Sequence, residues 1–270
     1  MKVAVIGAAG RMGLWFTGFF VEQGASVIVS GRSKEKLLKI KDEFDVEVAD
    51  NVTAVKNADR VLICVPIESF EGVVKEIHSY VKPSQVVMDI CSIKKFAVDV
   101  MHKYIKKGTV LGTHPMFGPD ARSLKDQNFI LTPTSAKERQ LANEFKVWLE
   151  ERKAKVSIMS PRKHDELMSV VLGLSHFVGM VVCDTLTSRV DFAETKKVAG
   201  PSYKLLSTLA ERVASQNPDF YASLQTNLPN IEEIEGLFYQ KAGEWLDIIR
   251  KKDKSILADK MKSVKEKLEK

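Results

Sequence analysis

Through the first 112 residues, short apolar runs alternate with stretches whose apolar residues recur at helical spacing. Lys2–Ile6, Ser26–Ser30, Val46–Val48, Arg60–Val65, Val86–Ile90 and Thr109–Gly112, rich in Val and Ile, predict six strands. Between them Arg11–Glu22, Lys34–Phe44, Glu68–Tyr80 and Ile93–Lys106 predict helices. This alternation predicts an α/β fold, a Rossmann-type doubly wound and mainly parallel sheet with helices on both faces. Phe129–Thr132, Ala136–Glu151 and Lys155–Ile158 extend the unit, and Pro161 marks its expected end. The expected domains are 1–160 and 161–270.

Beyond Pro161 the strand signal stops, and an all-helical domain is expected. Lys163–Ser188 predicts one long helix, apolar nearly all round from Val170 to Cys183. Such a helix must be surrounded, by its own domain or by a second subunit. Because Ser169, Ser175 and His176 interrupt it, Met168–Cys183 is expected to fall short of a membrane span. Helices follow around Tyr203–Gln216, Phe220–Thr226 and Ile231–Lys251.

Charge changes this picture only at the C-terminus. The chain of 270 residues has 41 Lys and Arg against 35 Asp and Glu, a net charge of +6. Residues 250–270 hold nine basic and four acidic side chains, so that segment carries +5 of it. Its apolar residues Ile256, Leu257, Met261, Val264 and Leu268 fall on one helical face. A docked helix with a solvated basic face is favoured over a nucleic-acid arm, so neither nucleic acid nor membrane is an expected partner. Three cysteines, Cys64, Cys91 and Cys183, are too few for a disulfide framework and point to a reducing, cytoplasmic compartment.

Gly7-Ala8-Ala9-Gly10-Arg11-Met12-Gly13 follows the first strand and opens the first helix. Glycines there allow a tight turn and close backbone approach, and the helix start offers N–H groups to a pyrophosphate. Gly7, Gly10, Arg11, Met12 and Gly13 are therefore expected at a dinucleotide. The second strand ends Ser30-Gly31-Arg32-Ser33-Lys34, without the acid that would bond a ribose 2′-hydroxyl. Arg32 can pair with a 2′-phosphate and the Ser30 and Ser33 hydroxyls can donate to it, so NADP is favoured over NAD. Ser33 is equally suited to cap the helix that starts at Lys34. Cys64-Val65-Pro66 ends the fourth strand, so Val65 and Pro66 are expected as an apolar wall against the cofactor at the carboxyl edge, with an ordinary strand end before a helix as the alternative.

Two further segments belong to that edge. Asp89-Ile90-Cys91-Ser92-Ile93-Lys94 ends the fifth strand and Gly112-Thr113-His114-Pro115-Met116-Phe117-Gly118-Pro119 ends the sixth. Taken singly, Ser92 suits a helix cap and His114 a polar loop; together they can converge beside a nicotinamide ring. No His-Glu-x-x-His or other close metal-ligand spacing occurs among the five histidines.

In this ordered set the chain resembles the prephenate dehydrogenase family, in particular its compact archaeal-type members. The glycine turn, Asp89-x-x-Ser92-x-Lys94, His114-Pro115-Met116-x-Gly118, His164-Asp165, Gly173-Leu174-Ser175-His176 and Arg212-Val213-Ala214 carry the resemblance. It implies oxidative decarboxylation of prephenate to 4-hydroxyphenylpyruvate, with hydride transfer to NADP, by a homodimer joined through its helical domain. It further implies that His114 takes the substrate hydroxyl proton and that Ser92 holds the same hydroxyl. His176, by residue type a satisfied core histidine, is implied in the substrate pocket, and Arg212 at a substrate carboxylate. Gly200-Pro201-Ser202-Tyr203 replaces the glycine-rich lead-in of bacterial members, which loosens the match at Arg212. Asp120 falls where those members carry an acidic gating residue. His164-Asp165, near a helix start, suits structure or the subunit interface. Arogenate dehydrogenase and a non-catalytic NADP-binding sensor are the alternatives.

Overall fold

The computed structural model describes residues 1–189 and 191–269. Eight strands form one sheet: β1 (Lys2–Ile6), β2 (Ser26–Ser30), β3 (Glu47–Val48), β4 (Arg60–Ile63), β5 (Val86–Asp89), β6 (Thr109–Pro115), β7 (Asn128–Thr132) and β8 (Lys155–Ile158). Their order is β3-β2-β1-β4-β5-β6-β7-β8. The first six are parallel, with Ile6 beside Ile63 and Asp89 beside Gly112. β7 runs antiparallel to β6 and β8 parallel to β7. The expected doubly wound, mainly parallel sheet is therefore the fold, with the strand order of a dinucleotide-binding unit.

Alternate residues of each buried strand enter different cores, which explains the unbroken Val/Ile runs. Val3 and Val5 pack with Phe16, Phe19 and Phe20 of α1 (Arg11–Glu22), Leu37 and Ile40 of α2 (Lys34–Phe44), and Phe145 of the later helix 136–151. Ala4 and Ile6 face the other side, toward α3 (Asn51–Asn57), α4 (Ile67–Ile77) and α5 (Lys94–Tyr104). The helix 136–151 is α6 (Ala136–Glu151). The seven-residue α3, capped by Asp50, was not expected. Neither was the extension of β6 from Gly112 to Pro115, which its antiparallel pairing with β7 sustains.

Two compact units result. The first is 1–168 with 217–227, so α7 (Pro161–Met168), although it begins at Pro161, packs with the sheet unit, against α5. The second is 169–216 with 228–270. It contains the π-helical turn Ser169–Leu174, α8 (Ser175–Arg189), α9 (Phe192–Lys197) and α10 (Pro201–Ala214). The chain passes through α11 (Pro218–Asn227), which belongs to the first unit, and returns as α12 (Ile231–Lys251) and α13 (Lys254–Leu268).

The single long helix expected over Lys163–Ser188 is thus interrupted by a π-helical turn. Ser169 there is fully buried and donates to the Pro229 carbonyl at 2.5 Å. By length and composition alone, Pro161–Ser188 is long and apolar enough to cross a membrane, contrary to expectation: Ser169, Ser175 and His176 do not offset so many Val and Leu. Only 22% of its most apolar window is buried. The terminal helix is likewise less covered than a docked helix: Leu257 is half-buried, but Ile256, Met261, Val264 and Leu268 are exposed.

Candidate functional site

The carboxyl ends of β1, β4, β5 and β6 are neighbours, so the segments that follow them lie along one edge. At about 4.8 Å per strand, the glycine turn after β1 and His114 at the end of β6 are roughly 14 Å apart along it.

Gly7 has φ +88°, and a Cβ there would sit 2.7 Å from the Cys64 carbonyl oxygen. At Gly13 it would meet the Gly7 oxygen at 2.3 Å. Both positions therefore require glycine for the turn itself. Gly10 differs: its Cβ would approach nothing but the Gly7 oxygen, at 3.3 Å, and otherwise enter open space. The start of α1 has neither a side-chain cap nor an acid in its first turn. Its N–H groups are thus left for an external acceptor, and an anionic pyrophosphate fits the open space above Gly10.

Around this turn the expected contacts divide. Arg32 is exposed, and no ion pair engages it among the described residues. Ser33 accepts from the Lys36 N–H and so caps α2. The Ser30 hydroxyl is buried and donates to Asn51 Oδ1 at 2.6 Å, which turns it away from solvent. Arg11 reaches Asp120 at 3.1 Å across two exposed side chains, a pair worth little. Met12 packs against the α1-side core and Val65 against the other, and Pro66 opens α4.

The centre of the edge is buried. Lys94 and Asp89 form an ion pair at 0% exposure, and Lys94 Nζ also donates to the Thr113 carbonyl. Asp89 further accepts from the Cys91 N–H at 2.8 Å. β5, α5 and β6 are tied together by this pair, which is costly to break from one side only. Burial pushes the Cys64 and Cys91 thiols up, with Asp89 adding to it, so neither is a ready nucleophile.

His114 is a strand residue, 5% exposed, rather than a loop residue. Its Nδ1 lies 2.8 Å from His164 Nε2. His164 Nδ1 lies 2.7 Å from Asp165 Oδ1. Asp165 also accepts from the backbone N–H groups of Lys94 and Lys95, at 2.7 and 2.9 Å. Those two N–H groups begin α5, whose N-cap Ile93 supplies no side-chain cap. Asp165 of α7 takes that place, at the favourable end of the helix dipole. His164 and Asp165, assigned by sequence to structure or an interface, are therefore partners of His114. Ser92 is not the cap either; it is half-buried, and no hydrogen bond holds its hydroxyl among the described residues.

This chain of contacts fixes the tautomers. A carboxylate only accepts, so His164 carries its proton on Nδ1 and presents a lone pair at Nε2. His114 must then donate from Nδ1, which leaves a lone pair on its own Nε2. Burial, then His164, then the Lys94 charge lower the His114 pKa well below 6.5, so the ring is neutral at ordinary pH. A neutral, oriented imidazole with one lone pair unspent has what a general base needs.

His176 and Arg212 lie in the second unit. His176 is half-buried on α8, and burial pulls its pKa down to about 4. Arg212 is exposed on α10. On the same two helices, Gly179 of α8 lies against Val213 and Leu209 of α10, and a Cβ there would be 2.5 Å from Val213 Cγ2. Among the described residues no group of three or more His, Cys, Asp or Glu could hold a metal.

A glycine turn on the first strand of a 3-2-1-4-5-6 sheet, with a neutral imidazole at the same edge, defines a dinucleotide-binding protein of the Rossmann class. Residues 16–158 match the family model described as prephenate dehydrogenase, nucleotide-binding domain, and 160–263 match prephenate dehydrogenase, dimerization domain. The chain belongs to the prephenate dehydrogenase family. It is 37% identical over 258 residues, 94% of its length, to a probable arogenate/prephenate dehydrogenase of Methanocaldococcus jannaschii, of which it covers 58%. It is 25% identical over 241 residues, 87% of its length, to the T-protein of Haemophilus influenzae, of which it covers 59%. The chain thus spans about three-fifths of the length of these relatives. In fold it is similar to the prephenate dehydrogenase of Aquifex aeolicus in complex with hydroxyphenyl propionate and NAD+. The TM-score is 0.79 at 22% identity, covering 99% of this chain and 96% of that one. The arogenate dehydrogenase of Synechocystis gives 0.77 at 17% identity, covering 100% and 99%.

Proposed function

We propose that the protein is a dehydrogenase that oxidatively decarboxylates prephenate to 4-hydroxyphenylpyruvate. The observation that carries this reading is the unspent Nε2 lone pair of His114, fixed by His164 and Asp165 at the dinucleotide edge. A nicotinamide cofactor, when bound, supplies the hydride acceptor. His114 removes the proton of the substrate hydroxyl, which raises electron density at the ring carbon that loses hydride. Ser92, at the same edge with its hydroxyl uncommitted, holds the same oxygen. Loss of CO₂ then completes an aromatic ring, so no residue need stabilise a long-lived carbanion. His176 and Arg212 are assigned to the substrate; Arg212 provides the fork for a carboxylate.

NADP is the proposed cofactor, because Arg32 is exposed at the end of β2 and no acid stands there. The Aquifex relative was solved with NAD+, so NAD is the alternative. The name of the Methanocaldococcus relative puts arogenate beside prephenate, and arogenate is the second substrate reading. We assign the cover of the exposed Val170, Val171 and Val181 to a second copy of the chain, in keeping with the dimerization model that spans them. A reducing compartment such as the cytoplasm is proposed from the low cysteine count, Cys64, Cys91 and Cys183.

The test is a panel of prephenate and arogenate, each with NAD and NADP. Prephenate-dependent reduction of NADP is the expected result; no reduction with any pair would overturn the reading. Sedimentation of a stable monomer would overturn the dimer.

A further inference from the structure

We infer that His164, backed by Asp165, is a positioning residue that both fixes the tautomer of His114 and takes up its Nδ1 proton when His114 is protonated at Nε2. The inference rests on the proposed reading of His114 as the base and adds the route its proton follows.

Three buried groups in line are needed for such a transfer, and they are in contact: His114 Nδ1 to His164 Nε2 at 2.8 Å, and His164 Nδ1 to Asp165 Oδ1 at 2.7 Å. The ring centroids lie 5.0 Å apart, with the planes tilted by 60°. His114 is 5% exposed and His164 0%, so water has little access to the Nδ1–Nε2 bond. The balance is simple. The substrate hydroxyl proton goes to His114 Nε2, and the proton on His114 Nδ1 crosses to His164 Nε2. His114 ends neutral in the opposite tautomer, and His164 ends as an imidazolium against the Asp165 carboxylate. After product leaves, His164 returns its proton to His114 Nδ1 and His114 Nε2 releases its own.

The surroundings decide where the cation rests. His164 is faced by Asp165 on its own helix, His114 on β6, Lys94 on α5 and Asp89 on β5; Lys95 contributes its backbone N–H to Asp165, while its ammonium pairs with Asp99. Burial lowers the His164 pKa, but Asp165 and Asp89 work against it. Nothing anionic opposes the drop at His114, where burial, His164 and Lys94 all lower it. A proton is therefore more stable on the ring that touches the carboxylate. Asp165 is itself held by the two N–H groups that start α5, so the acceptor end of the line is anchored to the sheet edge that carries Ser92.

The experiment compares wild type, His164→Gln and His114→Asn in the full chain. Gln can accept from His114 Nδ1–H and donate to Asp165, yet cannot carry a proton. His164→Gln is expected to bind cofactor normally and to lose about tenfold or more in kcat. Its acid limb of kcat/KM should move to lower pH, because the remaining base, His114, lacks a carboxylate neighbour. Normal kcat with an unmoved acid limb would overturn the relay; if His114→Asn is inactive in the same series, the reading of His114 as base would still stand. Ring-nitrogen NMR of the free protein tests the same point without turnover. The expected spectrum has both histidines protonated on Nδ1 at neutral pH, and His164 gaining the first proton on acidification. A first proton on His114, or two rings titrating independently, would overturn the inference.

Discussion

The two units solve opposite problems. At the strand edge of the sheet unit, buried polar groups are matched: Lys94 with Asp89, His114 with His164, Asp165 with the start of α5. The helical unit leaves more apolar surface open: Val170 and Val171 in the π-helical turn, Val181 on α8, Leu237 and Ile249 on α12, Met261 and Leu268 on α13. The proposed chemistry is set in the sheet unit, where a buried surround fixes the protons of His114 and His164. The helical unit carries the face that we assign to a second copy.

If that contrast is right, its two halves should fail differently. The largest effect is expected at the buried ion pair. Lys94→Met leaves Asp89 charged and unpaired, and should cost about 3–5 kcal/mol in a denaturant melt. Next, Gly179→Val drives a side chain into Val213 and Leu209; a loss of about 1–3 kcal/mol is expected, with a weaker dimer in sedimentation and the sheet unit unaffected. Arg32→Ala touches neither core. It should raise the KM for NADP by about tenfold, roughly 1.4 kcal/mol, with little change for NAD.

The smallest effect is on pH. His114, His164 and His176 all have lowered folded pKa values. Each favours its neutral form in the fold, so the stability it contributes is full above about 6.5 and is lost as pH falls from there through the folded value. Melting at pH 7.5 and pH 5.5 should show a lower Tm at the acid end. A flat or rising Tm would contradict the neutral buried rings.

The same contrast governs what could be read from the chain. Lys2–Ile6, Arg11–Glu22, Ser26–Ser30, Lys34–Phe44 and Ala136–Glu151 are legible to the residue, because local periodicity and turn glycines set them. Asn51–Asn57 escaped because a seven-residue helix shows too little periodicity, and the end of β6 because its pairing partner lies downstream in β7. Ser92 and His114 were legible as an edge, since strand ends of a parallel sheet share one side. The partnership of His114 with His164 was not, because 50 residues separate them. A visible trace existed: an adjacent His-Asp ahead of an apolar helix is a costly place for two polar groups that have no task. The π-helical turn left no periodic signal at all.

The central claim is that His114 is the base that starts hydride loss from prephenate. A single-turnover mixture of enzyme, NADP and prephenate tests it most directly, run on wild type and His114→Asn with cofactor affinity measured in parallel. One reduced nicotinamide and one 4-hydroxyphenylpyruvate per wild-type site are expected, and almost none from His114→Asn at unchanged cofactor affinity. Near-normal reduction by His114→Asn would contradict it.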